Sequence, residues 1–248
     1  MVYTSPRASD EEILSAYKES ADRDFIAERR GRDLTYARLL GKIGKLVSGC
    51  RGRLLDVGCA TGFFLDLARR DGWQVAGIEP SEWASSYARD VLGLDVKQGT
   101  VSTAELRDNY FDVITLWDVV EHLVDPLGDF TRLAAALKPG GLLAFSTHSI
   151  ESPAARILGG RYPFLMAMHV THFTPRTSGV LCAKAGLRQF EAEPHVRWLR
   201  VSYMIGKIGA KSERIAAVIR RGAALAGALD AVVPVVGLGI FNAYAKKA

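Results

Sequence analysis

Arg53-Leu54-Leu55-Asp56-Val57-Gly58-Cys59-Ala60-Thr61-Gly62 is the stretch that decides the fold. A short apolar run broken by glycines reads as a buried strand followed by a tight turn, and Phe63–Arg70 then has helical character. Working outward, Trp73–Glu79 is a second strand, and Ser81 caps a helix running through Leu92. Leu94–Gln98 and Tyr110–Trp117 are further strands. Pro126–Leu137 is helical, Lys138-Pro139-Gly140-Gly141 is a tight turn, and Leu142–Thr147 is a fifth strand. Strands alternating with helices predict an α/β fold, a doubly wound and mostly parallel sheet with helices on both faces.

The flanks are less regular. Asp10 is placed to cap a helix carrying Ile13, Tyr17 and Phe25, with Gly31 as its end, and a second helix spans Leu34–Val47. Residues 151–173, with Gly159-Gly160, Pro153 and Pro163, read as an irregular lid. Thr174–Ala185 is a helix ending at Gly186, Leu187–Val196 a sixth strand, 200–230 largely helical, and Leu238–Lys246 a final edge strand. The expectation is one domain over 1–248, with a helical cap (1–48), a ligand-binding core (49–150), and a lid with C-terminal strands and helix (151–248).

Composition narrows the function classes. The 248 residues are 48% hydrophobic, enough for a sizeable core. Net charge is +5, but the basic residues are scattered apart from small clusters at Arg29–Arg32 and Arg220–Arg221, so a nucleic-acid partner is not expected. Cys50, Cys59 and Cys182 form neither a disulfide framework nor a zinc pattern, and a reducing cytoplasm is the natural setting. The apolar stretch Gly222–Ala245 is interrupted by Asp230 and Pro234 and is not read as membrane-spanning.

Chemistry concentrates at strand ends. Gly58 and Gly62 let a ligand approach the backbone, but the spacing lacks the third glycine of a dinucleotide turn. Asp56 just before the bend repels a pyrophosphate and suits a ligand bearing an ammonium group. Glu79, 23 residues on, is placed to hold ribose hydroxyls. At the fourth strand end, Asp118 and Glu121 fit a helix-capping box. The neighbouring His122 reads equally as a general base or as a packing residue.

Leu54–Phe64, Glu79-Pro80-Ser81, Phe111-Asp112-Val113, Glu121-His122-Leu123-Val124-Asp125-Pro126 and Lys138-Pro139-Gly140-Gly141 together resemble class I S-adenosylmethionine (SAM)-dependent methyltransferases. The branch most resembled holds ubiquinone-biosynthesis O-methyltransferases and bacterial small-molecule and sugar methyltransferases. The resemblance implies a Rossmann-like seven-stranded sheet with its last strand antiparallel. It implies that Asp56, Gly58, Cys59 and Gly62 line the methionine end of SAM, that Glu79 and Pro80 flank the ribose, that Thr100 and Val101 lie by the adenine, and that Trp117 and Asp118 lie under the cofactor. Relatives often carry an acid near position 100 and T-P-N after the fifth strand, where this chain has Gly99-Thr100 and Thr147-His148-Ser149.

His122 is the first choice of base, with His169, His172 and His148 behind it. His169 and His172, three apart, are not read as a metal site. The segment Lys207–Ile240, where Lys207, Lys211, Arg214, Arg220 and Arg221 alternate with apolar residues, is read first as a helix packed over the domain. The alternative is an amphipathic helix lying on the inner membrane surface. The function expected is methyl transfer from SAM to an oxygen or nitrogen of a small-molecule, sugar or lipid-linked acceptor. The rivals are a non-catalytic SAM-binding protein and an NAD-dependent oxidoreductase. The oligomeric state stays open.

Overall fold

The computed structural model describes residues 2–4, 12, 23–49, 51–209 and 212–248. The proposed Asp10-capped helix with Ile13 and Tyr17, together with Cys50 and Lys211, lies outside the described residues. In chain order the elements are β1 (Val2–Tyr3), α1 (Arg23–Ala27), α2 (Arg29–Leu46), β2 (Arg53–Val57), α3 (Phe63–Arg70), β3 (Gln74–Glu79), α4 (Glu82–Ser86), β4 (Val96–Gln98) and β5 (Phe111–Trp117). These are followed by α5 (Pro126–Ala136), β6 (Leu137–His148), α6 (Pro153–Leu158), β7 (Thr171–His172), α7 (Pro175–Lys184) and β8 (Leu187–Pro194). The chain closes with β9 (Arg197–Arg200), α8 (Val201–Gly209), α9 (Glu213–Leu225), β10 (Val232–Val235) and β11 (Ile240–Lys247).

The main sheet has seven strands in the order β4-β3-β2-β5-β6-β11-β8. β11 runs antiparallel to both its neighbours, β6 and β8. It is therefore interior and not the expected edge strand. Its residues Ile240–Ala245 are buried, because both backbone edges and both faces are covered. Period-two alternation assigns the faces. Leu143 and Phe145 of β6 join Phe130 and Leu133 of α5 on one side. Leu142 and Ala144 face Leu39, Leu40 and Ile43 of α2 on the other.

The strand order reverses between β2 and β5, so the crevice beyond their carboxyl ends is where a doubly wound sheet takes its ligand. Two expectations about local structure are corrected here. Gly31 does not end a helix but lies inside α2, because its missing Cβ makes room for the Trp198 backbone carbonyl. The helical break falls at Glu28, whose buried carboxylate accepts from Arg200 Nε at 2.8 Å. The Lys138–Gly141 turn is built into β6 as an irregularity in its pairing with β5, held by Lys138 Nζ on Asp112 at 2.7 Å. Beyond β8 the chain forms a two-stranded antiparallel sheet of β9 and β10, joined through α8 and α9, that rests on α2 and was not foreseen.

Candidate active site

A cavity of about 500 Å³ opens at the reversal. Its floor is the β2 end, because Asp56, Val57 and the bend Gly58–Ala60 follow one another along its wall. Gly58 adopts φ +67° and would place a Cβ 2.5 Å from Val119, so glycine is required for the bend to pass so near the β5 end. Gly62 has φ +80° and a Cβ there would meet Leu94 at 2.5 Å. It starts α3 and does not line the cavity, which corrects its assignment to the ligand wall. The other residues expected around SAM, namely Asp56, Gly58, Cys59, Glu79, Pro80, Thr100, Val101, Trp117 and Asp118, all line it.

The two acids are set differently. Asp56 is 2% exposed and accepts one hydrogen bond, from Thr115 Oγ1 at 2.6 Å. Burial pushes its carboxyl up to about 8, opposed by the Thr115 hydrogen bond and aided by the nearby Glu79 charge. Glu79 is also raised by burial, but backbone amides hold its ionised form: Ser81 N–H donates to Oε1 and Ala60 N–H to Oε2, both at 2.8 Å. The glycine bend is thus tied to the second strand end by the very carboxylate expected to face a ribose.

At the β5 end, Asp118 sits in a left-handed conformation (φ +57°). Ser146 Oγ donates to it at 3.0 Å and Arg197 Nη2 pairs with it. Burial raises its carboxyl, but the Arg197 guanidinium, His195, the Ser146 hydrogen bond and Arg32 together outweigh this and hold it below the ordinary range. Asp118 and Glu121 do not form the expected capping box. Glu121 turns inward instead, 3% exposed, with Oε1 3.6 Å from His148 Nδ1 and Oε2 without a hydrogen-bond partner. Asp125 caps α5, accepting from Gly128 N–H at 3.0 Å.

Of the three histidines placed first as catalytic, only His122 lines the cavity. Its Nδ1 lies 2.9 Å from the Met168 carbonyl. A carbonyl only accepts, so Nδ1 carries the proton and Nε2 is the unprotonated nitrogen of the neutral ring. His169 and His172 are displaced from the wall, because the lid folds their side chains into a buried stack. His169 packs edge-on against His122 with centroids 4.6 Å apart, its Nδ1 bonding to the Phe164 carbonyl at 2.7 Å. His172 Nδ1 meets His148 Nε2 at 2.9 Å. Burial, reinforced by the His122 charge, brings His169 down to about 4. One ligand atom each from Glu121, His122 and His169 lies within 4.8 Å of the others, so this trio could hold a divalent ion, a grouping that the sequence spacing did not reveal.

The wall also carries residues outside the strand-end motifs. Phe25, Arg32 and Tyr36 come from α1 and α2, and Leu123, Asp129 and Arg132 from the segment after β5. Arg32 stacks its guanidinium 3.4 Å from the Phe25 ring centroid, and its buried Nε has no hydrogen-bond partner. The Arg29–Arg32 cluster was the available signal, although Arg29 is committed to Asp66 at 2.9 Å.

A methyltransferase-domain family profile matches residues 25–191. The ubiquinone biosynthesis O-methyltransferase of Bradyrhizobium sp. (strain ORS 278) is 34% identical over 129 residues, 48% of this chain and 50% of that protein. The chain spans about half the length of the curated relatives it matches. Among solved structures, a SAM-dependent methyltransferase from Archaeoglobus fulgidus superposes with TM-score 0.60 at 21% identity, covering 91% of this chain and all of that one. The phosphoethanolamine N-methyltransferase 2 of Haemonchus contortus, solved with SAM bound, superposes with TM-score 0.54 at 17% identity, covering 79% of this chain and 49% of that one.

Proposed function

We propose, from the premise that this chain belongs to the class I SAM-dependent methyltransferases, that it methylates an oxygen or nitrogen of a small-molecule, sugar or lipid-linked acceptor, with His122 as the base. The observation that carries this reading is the charge pattern of the cavity. A buried carboxylate, Asp56, stands at the glycine bend where a dinucleotide enzyme needs to receive a pyrophosphate, and a second one, Glu79, stands at the next strand end.

The residues fit SAM. Asp56 answers an ammonium group, and the Arg32 guanidinium on the same wall answers a carboxylate. Glu79 takes ribose hydroxyls on the lone pairs left beside its two backbone donors. Val101 and Leu123 offer apolar contact to a planar base, and the Ser102 hydroxyl offers it a polar one. Bound SAM supplies a methyl group activated by its sulfonium charge.

The chain's own part is to bind, align and move one proton. The Met168 carbonyl fixes the His122 tautomer, so Nε2 is the atom that takes the proton released by the acceptor. Glu121, whose charge acts on His122, stabilises the imidazolium formed. Arg197 and Ser146 hold Asp118 in place as an ionised wall of the site. Lid residues 162–170 carry Met168 and His169, so the lid orients the base from behind the cavity wall.

The test is His122→Ala assayed with labelled SAM against a panel of acceptors. Loss of a general base costs about 10²–10⁴-fold in turnover, with SAM affinity retained. Undiminished turnover removes His122 from this role, and SAM binding with no turnover on any acceptor class favours a non-catalytic binder.

A further inference from the structure

α9 carries its apolar residues on the side turned away from the protein. Ile215, Val218, Ile219, Gly222 and Leu225 follow the i, i+3, i+4, i+7, i+10 spacing of one helix face. Their large side chains are 56%, 74%, 40% and 84% exposed for Ile215, Val218, Ile219 and Leu225 in turn. Ala216, the buried residue of the helix, lies about a third of a turn from the middle of that face and marks the side on which α9 is seated. A surface helix of a soluble protein normally turns its apolar stripe to the core. Here the stripe is turned to solvent.

The border of that stripe is cationic. Arg214 and Arg221, seven residues apart, flank it along one side and are exposed. Among the described residues no carboxylate pairs with either of them. Arg220 lies further round and pairs with Glu213 at 3.3 Å. The helix also lies outside residues 25–191, so the methyltransferase profile does not account for it.

We propose that α9 docks this protein on a bilayer surface rich in anionic lipid, with the Ile215–Leu225 face among the acyl chains and Arg214 and Arg221 at the headgroups. A 13-residue helix lies flat at roughly 20 Å in length, and such helices embed their apolar face about 5–10 Å deep. A second copy of the chain fits less well. Packing two such faces together brings their flanking arginines toward one another, and a single helix face falls short of the ~800 Å² per partner of a standard interface. The docking itself stands apart from the catalytic reading. It deepens that reading by favouring a lipid-linked acceptor presented at the membrane surface.

Co-sedimentation tests it, using the full chain with vesicles of phosphatidylcholine alone or mixed with phosphatidylglycerol. The protein pellets with the anionic vesicles at low salt and is released as salt rises. The paired variant Val218→Glu/Leu225→Glu stays in the supernatant. Arg214→Ser/Arg221→Ser binds at least tenfold more weakly, since each basic residue near an anionic surface contributes about a fivefold factor. All four side chains are exposed, so the variants keep the fold, and SAM titration of each variant separates a failure of docking from a failure of the catalytic reading. Absence of wild-type sedimentation, or undiminished sedimentation of Val218→Glu/Leu225→Glu, overturns the proposal. So does a dimer in analytical ultracentrifugation that this variant splits, which assigns the face to a second copy.

Discussion

Asp56 joins burial to binding. Its carboxyl is raised from the ordinary 3.8 to about 8 chiefly by burial, so the folded protein without ligand holds a proton there near neutrality. A raised folded value means that this group's contribution to stability is complete below about pH 4 and is lost as pH rises toward about 8. An ammonium-bearing ligand prefers the ionised form, so its binding at pH 7 expels the proton. Two outcomes follow. Calorimetry of SAM binding at pH 7 in buffers of different ionisation enthalpy reads a net proton release, and affinity strengthens between pH 6 and pH 8. Asp56→Asn keeps an acceptor for Thr115 and removes the cost of taking up a proton on folding, so it raises the unliganded melting temperature at pH 7 while weakening SAM binding about 10–100-fold, the effect of losing a charge-assisted contact. Proton uptake on binding, or SAM binding by Asp56→Asn as tight as by the parent, contradicts this role.

α2 illustrates what the elements owe to contacts distant in sequence. The strands from Arg53 to Thr147 and the helices between them were legible because each carries its own period and its own stop signals. Residues assigned to the ligand wall by position on those strands lie on it, apart from Gly62, whose small size serves the packing of Leu94 and Ala88. The helical end expected at Gly31 was misplaced because a glycine inside a helix and one after it look alike in sequence. Only the Trp198 carbonyl, some 167 residues on, distinguishes them. The inward turn of Glu121 and the stacking of His169 and His172 were likewise hidden, since they depend on how the lid folds back onto β6. Gly31→Ala tests the first point. The added methyl strikes backbone rather than a movable side chain, so the β9–β10 sheet must shift off α2 at a cost of about 1–3 kcal/mol. Thermal unfolding and hydrogen exchange at 197–200 read this. Unchanged melting and unchanged protection of β9 contradict the packing described.

On the scale of the whole molecule, the seven-stranded sheet brings a helix pair, the ends of β2, β3, β4 and β5 and the segment after β5 around one cavity, although these come from positions 25 to 132. No helix among the described residues is long and apolar enough to cross a membrane. A ligand that spans the cavity ties these parts together, so SAM at a hundredfold over its dissociation constant stabilises the fold by about 2.7 kcal/mol. For a chain of this size that raises the melting temperature by roughly 5–10 °C. The most direct test is a calorimetric titration of the purified chain with SAM, S-adenosylhomocysteine and NAD in turn. The charge pattern of the cavity predicts one-to-one binding of SAM and S-adenosylhomocysteine and no heat from NAD. Saturable binding of NAD, with neither adenosyl compound taken up, contradicts it.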